Sequence, residues 1–405
     1  MASSKHQNKT IDLVMDKIRR NSKEFGGCIV GLAYNEGRYS EYQDEKVRFG
    51  SFGGIDWTDG FWPGIFSLAY MYTRDDCFLK CIESYRGFVR VAARRTAEES
   101  AEMGYLDLGH DRGFMLSLTA VADYKLTGNL EAKAEAEEGA RQLAGRFVEA
   151  GGFIRAFDRW PWETDEKVIQ EKRGKAIMDT MMNLPLLMWA CKETGNEHYG
   201  EIARTHADMV LKYMIRPDGS TYHHFQFSSD TMKPERGLTA QGYKDESCWS
   251  RGQAWATYGF ALMYRYTGAE RYLTAAKRLG EYFMSQLDDK GLPVWDFDAR
   301  CEEYCPYDSS AAAITACGML EVYRHSGEGK YLDDAKRLIS ALEHFCLEAE
   351  TGQALLNHGC VGPVFTVRNG VRKINMYTDT PTPYGDYFYT EALIRLNMPD
   401  MILFW

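Results

Sequence analysis

Two aspartates occupy matching positions at the start of two apolar segments of the sequence. Asp111 lies sixteen residues before Thr127 and Asp179 lies fifteen residues before Thr194, and both threonines belong to similar Thr-Gly turns. If the two segments are equivalent helices of a repeat, their axes pack roughly 8–10 Å apart. Two carboxyl groups that lie close together and are partly desolvated have raised pKa values, so one of them can act as a general acid at neutral pH. Glycoside hydrolysis commonly uses such a pair.

Other side chains near the starts of the predicted helices also fit a sugar-binding site. Arg251 begins a helical segment, where the helix dipole disfavours a cation, so helix capping does not explain it. Trp255 follows one turn later, an arrangement that suits the binding of an anion and a ring. The alternative for Arg251 is a salt bridge to a neighbouring aspartate. The alternative for Trp62, Trp249 and Trp255 is packing in the core.

A repeated turn predicts how these residues are brought together. Five segments each end one helical pattern and begin another: MYTRDD (71–76), YKLTGN (124–129), KETGNEHY (192–199), RYTGAERY (265–272) and RHSGEGKY (324–331). Gly195, Gly268 and Gly327 follow helical runs directly, where glycine is the favoured helix cap. The segment TEALIRL (390–396) begins a sixth unit, and TIDLVMDKIRR (10–20) supplies its partner. The pattern predicts six helical hairpins closed into a ring, an all-α (α/α)6 barrel with short β-like connections.

No linker or shift of composition divides the 405 residues, so we expect one domain over residues 1–405, with a flexible tail over about residues 1–9. The net charge of −10 argues against a nucleic-acid partner. The longest apolar runs are roughly a dozen residues, too short to cross a membrane. The sequence has no recognisable signal peptide and its ten cysteines are scattered, so we expect free thiols and a cytoplasmic location. We expect no metal and no cofactor, because the zinc, phosphate-loop and dinucleotide motifs are missing.

Seven strings resemble, in order, glycoside hydrolase family 88, the unsaturated glucuronyl hydrolases. They are DWTDGFWPG (56–64), HDRGF (110–114), IMDTMMNLPLL (177–187), RPDGSTYHH (216–224), QGYKDESCWSRGQAWATYGF (241–260), DSSAAAITACGMLE (308–321) and YGDYFYTEAL (384–393). The resemblance extends over about residues 15–396, and the string at 241–260 is its most specific part. The fold of that family is the (α/α)6 barrel, in agreement with the repeat.

The resemblance implies an oligosaccharide substrate whose non-reducing end is a 4-deoxy-4,5-unsaturated uronic acid, the product of a polysaccharide lyase. The family hydrates the C4=C5 vinyl ether: an aspartate protonates C4, water adds at C5, and the hemiketal collapses and expels the next sugar. The matching motifs give the acid/base role to Asp179. They give Asp111 a supporting role, in which it binds substrate and keeps one charge on the pair.

The same resemblance implies a set of substrate-binding residues. Tryptophans would pack on the sugar rings, and polar side chains would hydrogen-bond the uronate and its hydroxyls. The expected residues are Trp62, His110, His223, Gln241, Trp249, Arg251 and Trp255. His223 and His224 are adjacent, and the sequence alone does not decide which of them faces the site.

Two segments depart from the family pattern. In residues 155–173, Trp160 and Trp162 are candidates for lining the subsite of the second sugar. Family members that accept sulfated fragments carry small polar residues and a lysine in the region of residues 360–383. Here that region offers only Arg368, Arg372 and Lys373, without a convincing equivalent. The source polysaccharide therefore stays open among hyaluronan, chondroitin, heparin, gellan, xanthan and ulvan. The alternatives are an unsaturated rhamnogalacturonyl hydrolase of family 105, which shares the fold, and a helical toroid that binds sugar without catalysis.

Overall fold

The computed structural model describes residues 2–24, 30–34, 38–41, 55–102, 107–160, 162–348, 352–368, 371–375 and 377–405. Helices dominate these residues. They are α1 (Ala2–Glu24), α2 (Phe61–Thr73), α3 (Asp76–Arg94), α4 (Ala97–Glu102), α5 (Arg112–Leu116), α6 (Ala122–Thr127), α7 (Leu130–Ala144), α8 (Glu166–Arg173), α9 (Leu184–Thr194), α10 (Glu197–Tyr213), α11 (Ser250–Thr267), α12 (Glu270–Ser285), α13 (Ser309–Ser326), α14 (Gly329–Phe345) and α15 (Pro383–Asn397). A π-helical turn, Ser117–Val121, joins α5 to α6. In this part of the chain, no helix has both the length and the apolar character needed to cross a bilayer.

Six helical segments form a closed inner ring. They are α2, the α5–α6 run, α9, α11, α13 and α15, and each contacts the next, with α15 returning to α2. Their residues are buried on all sides for most of their length. The amphipathic helices α3, α7, α10, α12 and α14 surround them, and α1 packs against α15, α2 and α3. The predicted (α/α)6 barrel is confirmed, and α15 with α1 forms the sixth hairpin.

The glycines in the turns between paired helices have the backbone conformation that the sequence predicts. Gly195, Gly268 and Gly327 have φ values of 71°, 64° and 69°, the left-handed conformation that ends a helix without a Cβ clash. The first turn has no glycine at this position, and Arg74 adopts the same conformation with φ 59°. The repeat is therefore real even where its most visible sequence signal is missing.

The amino-terminal helix is longer than the apolar pattern indicates. Helix α1 begins at Ala2, within the segment 1–9 for which we expect a flexible tail. The apolar spacing that indicates a helix starts only at Ile11, and Ile11, Val14 and Ile18 are the buried residues that attach α1 to the barrel. The sequence before Ile11 therefore carries no packing signal from which the extra turns could be predicted.

The strands are short and serve as connections. They are β1 (Val30–Tyr34), β2 (Arg38–Glu41), β3 (Phe147–Val148), β4 (Phe153–Ile154), β5 (Lys175–Ile177), β6 (His224–Phe227), β7 (Pro234–Leu238), β8 (Gly359–Cys360), β9 (Phe365–Arg368), β10 (Val371–Ile374) and β11 (Thr378–Thr380). Strands β5, β6 and β7 form an antiparallel sheet in which Ile177 pairs with His224 and His224 pairs with Leu238. This sheet leads directly into the segment that carries Asp179.

A buried charge network joins the inner helices toward their carboxyl ends. Arg395 pairs with Glu321 and with Glu391, and it donates to the Tyr258 hydroxyl at 2.8 Å. The indole of Trp405 donates to Glu391 at 2.9 Å. Burial by itself raises the pKa of Glu321, but Arg395 and the other cations around it lower that pKa to about 2. Arg395 therefore helps to hold the buried Glu321 carboxylate in its charged form.

We expect Arg395→Met to destabilise the barrel strongly. Removing one partner of a buried ion pair leaves uncompensated charge and costs about 3–5 kcal/mol. For a chain of this length that corresponds to a fall in Tm of roughly 4–6 °C. Arg324→Met is the matched control, because Arg324 is exposed on the same inner helix as Glu321 and its pairing with Asp400 is weak. Thermal unfolding should separate the two variants, and equal losses would contradict this role for Arg395.

Candidate active site

Two inner helices approach closely where the aspartates lie. Asp111 ends a one-turn 3-10 helix, Gly109–Asp111, just before α5, and Asp179 lies in a second 3-10 turn, Met178–Met182, just before α9. The buried Asn183 side chain accepts the Phe114 backbone N–H at 2.7 Å and donates to the Asp179 carbonyl at 3.1 Å. A Cβ on Gly113 would lie 2.4 Å from the Asn183 Cα, so only glycine allows this approach.

The two carboxyl groups lie on the floor of a cleft of about 500 Å³. The residues that line it are Trp57, His110, Asp111, Phe157, Trp160, Glu163, Val168, Lys172, Lys175, Ile177, Asp179, His223, His224, Ala240 and Gln241. Within the described ranges, no cluster of three or more histidine, cysteine or acidic side chains is arranged to hold a metal ion. The chemistry available on the floor is therefore that of carboxyl groups, imidazoles and amides.

Burial raises the pKa of both carboxyl groups. The pKa of Asp111 is raised well above its usual value, first by burial and then by the negative charges of Asp179 and Asp56. Burial also raises the pKa of Asp179, but the positive charge of Arg251 opposes that rise. The upward shift of the pKa is therefore the larger at Asp111.

The orientation of His110 agrees with the larger shift at Asp111. Its Nδ1 lies 2.9 Å from the Ala156 carbonyl oxygen, which only accepts, so Nδ1 carries the hydrogen. Burial lowers the pKa of His110 to about 4, so the ring is neutral and its Nε2 is an acceptor. The Asp111 Oδ1 lies 3.2 Å from that Nε2. A neutral imidazole that faces the carboxyl group with its acceptor nitrogen favours the protonated form of Asp111.

His223 is oriented the other way round. Its Nδ1 accepts the backbone N–H of Ala240 at 3.2 Å, so the hydrogen of the neutral ring lies on Nε2. Burial lowers the pKa of His223 well below its usual value, with Arg251 adding to the shift. Its Nε2 lies 3.6 Å from the Asp179 Oδ2. His223 therefore presents a donor toward Asp179 and favours the charged carboxylate there.

Several buried polar atoms around the floor have no hydrogen-bond partner among the described residues. They are the Asp179 Oδ2, the His223 Nε2, the His224 Nε2 and the Trp249 indole nitrogen. A buried polar atom without a partner is costly, so folded proteins retain few of them. Both histidines line the cleft, so the structure brings His223 and His224 to the site together and the choice between them does not arise.

Arg251 is fully engaged inside the protein. Its guanidinium pairs with Asp308 at 2.5 Å and donates to the carbonyl groups of Cys360 and Val361. It also donates to the Gln241 Oε1 at 3.0 Å, which leaves the amide nitrogen of Gln241 as the donor available to the cleft. The salt bridge to an aspartate, considered above as the alternative for Arg251, is the arrangement observed. Arg251 positions Gln241 and does not itself line the cleft.

The predicted tryptophans also lie beneath the cleft surface. Trp62 and Trp255 are buried and absent from the cleft lining, and Trp255 packs on Phe114 at 4.9 Å between ring centroids. Trp249 lies under His223, with ring centroids 4.3 Å apart. Stacking of Trp62 and Trp255 on sugar rings therefore stays a prediction, which the lining of this cleft does not support. Aromatic residues at the starts of the inner helices are buried inside the barrel because these helices are apolar on all sides.

Different aromatic residues reach the cleft. Trp57, Phe157 and Trp160 line it, and of these only Trp160 was singled out from the sequence. Trp57 lies in DWTDGFWPG, five residues before the tryptophan that we chose in that string. Phe157 and Trp160 come from the unfamiliar segment 155–173, which thus contributes one wall. In the segment 360–383, the carbonyl groups of Cys360 and Val361 bind Arg251, and Gly362 lies against Gln241.

Comparisons with known proteins agree with this architecture. The model for Glycosyl Hydrolase Family 88 matches residues 33–289. An unsaturated glucuronyl hydrolase of Bacillus sp. (strain GL1) is 36% identical over 388 residues, 93% of each chain. An unsaturated chondroitin disaccharide hydrolase of Streptococcus pneumoniae is 32% identical over 357 residues, 86% of this chain and 84% of that protein. A crystal structure of unsaturated glucuronyl hydrolase from Bacillus sp. GL1 superposes with a TM-score of 0.84 at 32% identity, covering 98% of this chain and 99% of that one.

A closed ring of helical hairpins with two buried carboxyl groups on its cleft floor, together with these similarities, places the chain among the glycosidases of the (α/α)6 class. Within that class, the chain belongs to Glycosyl Hydrolase Family 88. The predicted family, fold and kind of activity, that of an unsaturated glucuronyl hydrolase, are confirmed. The family 105 alternative and the non-catalytic toroid are set aside.

We expect Asp111→Asn to stabilise the protein at alkaline pH. Asparagine copies the protonated carboxyl and still donates toward His110. A carboxyl with a raised native pKa favours folding below its unfolded pKa, near 4, and loses that contribution as pH rises through the native pKa. Asparagine has no such loss. Its Tm should match the parent protein at pH 4 and exceed it by roughly 1–3 °C at pH 8.

Thermal unfolding at both pH values measures this difference. Asp230→Asn, at an exposed position, is the control and should leave the Tm difference near zero at both pH values. A Tm difference for Asp111→Asn that does not change with pH would contradict the assignment of the proton.

Proposed function

We propose that this protein removes a 4-deoxy-4,5-unsaturated glucuronic acid from the non-reducing end of oligosaccharides that a polysaccharide lyase has produced. The observation that carries the proposal is the pair Asp111 and Asp179, two buried carboxyl groups with raised pKa values on the floor of one cleft, beside imidazole nitrogens that have no hydrogen-bond partner among the described residues. An electron-rich vinyl ether needs a proton donor of this kind, because protonation at C4 places the positive charge at C5, beside the ring oxygen.

In the proposed reaction Asp179 is the acid/base catalyst. In the free protein the proton of the pair resides on Asp111. The substrate carboxylate brings negative charge into the cleft and raises the pKa of the nearer carboxyl, which allows the proton to pass to Asp179. Asp179 then protonates C4, and as a carboxylate it takes a proton from the water that adds to C5.

The remaining steps need no further protein group. The hemiketal at C5 opens to a ketone when the bond between C5 and the ring oxygen breaks, and the ring oxygen gains a proton. This leaves a hemiacetal at C1, which releases the next sugar as an alcohol with its original oxygen. Asp179 ends the cycle protonated, since it gave one proton to C4 and took one from water.

Neutral donors would hold the substrate. The Gln241 amide nitrogen, oriented by Arg251, and the two imidazoles of His223 and His224 are placed to donate to the uronate carboxylate or its hydroxyl groups. Burial keeps both imidazoles neutral, because the pKa of each lies well below the usual value. The net charge of −10 gives no general attraction for an anionic sugar, so capture depends on these local donors.

We also propose a cytoplasmic location and a single-domain chain. Nine cysteines lie in the described part of the chain, and all nine are free thiols, as suits a reducing compartment. Unsaturated disaccharides would be the substrates taken up from outside, and neither a nucleic acid nor a membrane enters the proposed activity.

We expect Asp179→Asn to lose about a thousandfold in kcat. Asparagine keeps the shape and can neither donate the C4 proton nor accept one from water, and general acid/base groups typically contribute 10²–10⁴-fold. The assay follows the absorbance of the unsaturated uronate in lyase-generated disaccharides from several polysaccharides. Asp230→Asn serves as the control and should retain full activity.

Circular dichroism should show that both variants are folded. A folded Asp179→Asn protein that keeps more than a tenth of the parent rate would contradict the acid/base role. Parent protein that leaves the absorbance unchanged with every glucuronyl disaccharide would contradict the proposed substrate.

A further inference from the structure

The cleft has two lobes that differ in charge. From the floor at His110 and Asp111, a smaller lobe of about 210 Å³ is lined by three further carboxyl groups, those of Asp56, Asp107 and Asp158, and by one cation, Arg159. The main lobe contains Lys172, Lys175 and Glu163, and Lys172 pairs with Glu163. A substrate that carries further negative charge beyond its first ring would therefore extend along the main lobe, where it meets Lys175 and fewer carboxyl groups line the wall.

Lys175 lies between the floor and the rim of this lobe. Lys175 and Ile177 are two residues apart on β5, so they share a face of the sheet, and both line the cleft. At about 3.3 Å per residue, the Cα of Lys175 lies roughly 7 Å further from Asp179 along the strand than that of Ile177. Beyond it, Trp160 and Val168 are 38% and 37% exposed and form the rim. The unsaturated ring must reach the aspartates on the floor, so Lys175 faces the next sugar.

Lys175 also differs from its neighbour in having no partner. Lys172 is bound to Glu163 at 2.5 Å and lies 3.6 Å above the Trp160 ring. Among the described residues, no hydrogen bond or ion pair engages Lys175. The carboxylates of Glu171 and Asp245 act on it only from beyond ion-pair distance, and the cations of Lys172 and Arg236 oppose them. Half-burial without a counterion lowers the pKa of Lys175, a cost that a bound anion would remove.

We propose that Lys175 binds an O-sulfate ester on the sugar that follows the unsaturated uronate, so that this protein prefers sulfated lyase products. The proposal rests on the proposed function, because the position of the first ring defines where the second lies. Among the described residues of the segment 360–383, where the family resemblance suggests looking for such a lysine, none lines the cleft. Lys175 would supply the cation from the opposite wall.

The test compares two disaccharides with the same sugars, one unsulfated and one with a single O-sulfate at the 4 or 6 position of the hexosamine. For the parent protein we expect the higher kcat/KM with one of the sulfated forms. Lys175→Gln should lower kcat/KM for that form at least tenfold and change the unsulfated form less than twofold. Lys175→Arg should restore most of the preference, and raising the salt concentration to 0.5 M should weaken it in the parent protein.

Lys167→Gln is the matched control, since Lys167 is exposed on α8 and outside the cleft lining. It should leave both substrates unchanged. Equal losses on both substrates with Lys175→Gln would overturn the proposal and would place Lys175 at the unsaturated ring or in the framework of the fold. No loss on either substrate would overturn it as well, as would a parent protein that cleaves the unsulfated form best. A parent protein inactive on all forms would overturn the proposed function together with this one.

Discussion

The close contact between α5 and α9 at Gly113 and Asn183 is the constraint on which the site depends. It brings the turns that precede these helices together, and these turns carry Asp111 and Asp179. The Asn183 amide bonds both segments at once, so the spacing of the two carboxyl groups is set by backbone and not by their own flexible side chains. A buried amide group that loses such partners costs about 1–3 kcal/mol, so the contact is held firmly.

The surroundings then treat the two carboxyl groups differently. His110 donates to a carbonyl group and presents a hydrogen-bond acceptor toward Asp111, whereas His223 accepts from a backbone amide and presents a donor toward Asp179. The neutral imidazole beside Asp111 therefore favours a protonated carboxyl group, and the neutral imidazole beside Asp179 favours a carboxylate. This difference suits the proposed mechanism, in which one group holds a proton that the other receives and passes on.

The sequence could predict the ring and the pair because both depend on local signals. Turn glycines, apolar spacing and the distance from each aspartate to its turn are all visible along the chain. The environment of Arg251 was not visible in the same way, because its partners Asp308, Cys360 and Val361 lie 57, 109 and 110 residues away in the sequence. Spacing placed Arg251 at the correct level of the barrel, but the neighbouring units decided where its guanidinium points.

The residues of the cleft wall were even harder to predict from the sequence than the partners of Arg251. Lys175 and Phe157 belong to connecting segments, where no periodic pattern indicates which side chains face inward. His224 was predictable only as one of two candidates, because alternation along a strand should separate it from His223. However, β6 begins at His224, so His223 lies just outside the strand and the alternation does not apply to it. The centroids of the two rings lie 4.1 Å apart.

The most direct test of the central claim is the fate of the C4 hydrogen when the reaction runs in D2O. Proton NMR of the product at early times should show one deuterium at C4 on a single face, loss of the vinyl signal at the same rate, and no such product with Asp179→Asn. Release of the second sugar while the vinyl signal of the first persists would contradict the account, because the protein would then be breaking the glycosidic bond directly at C1.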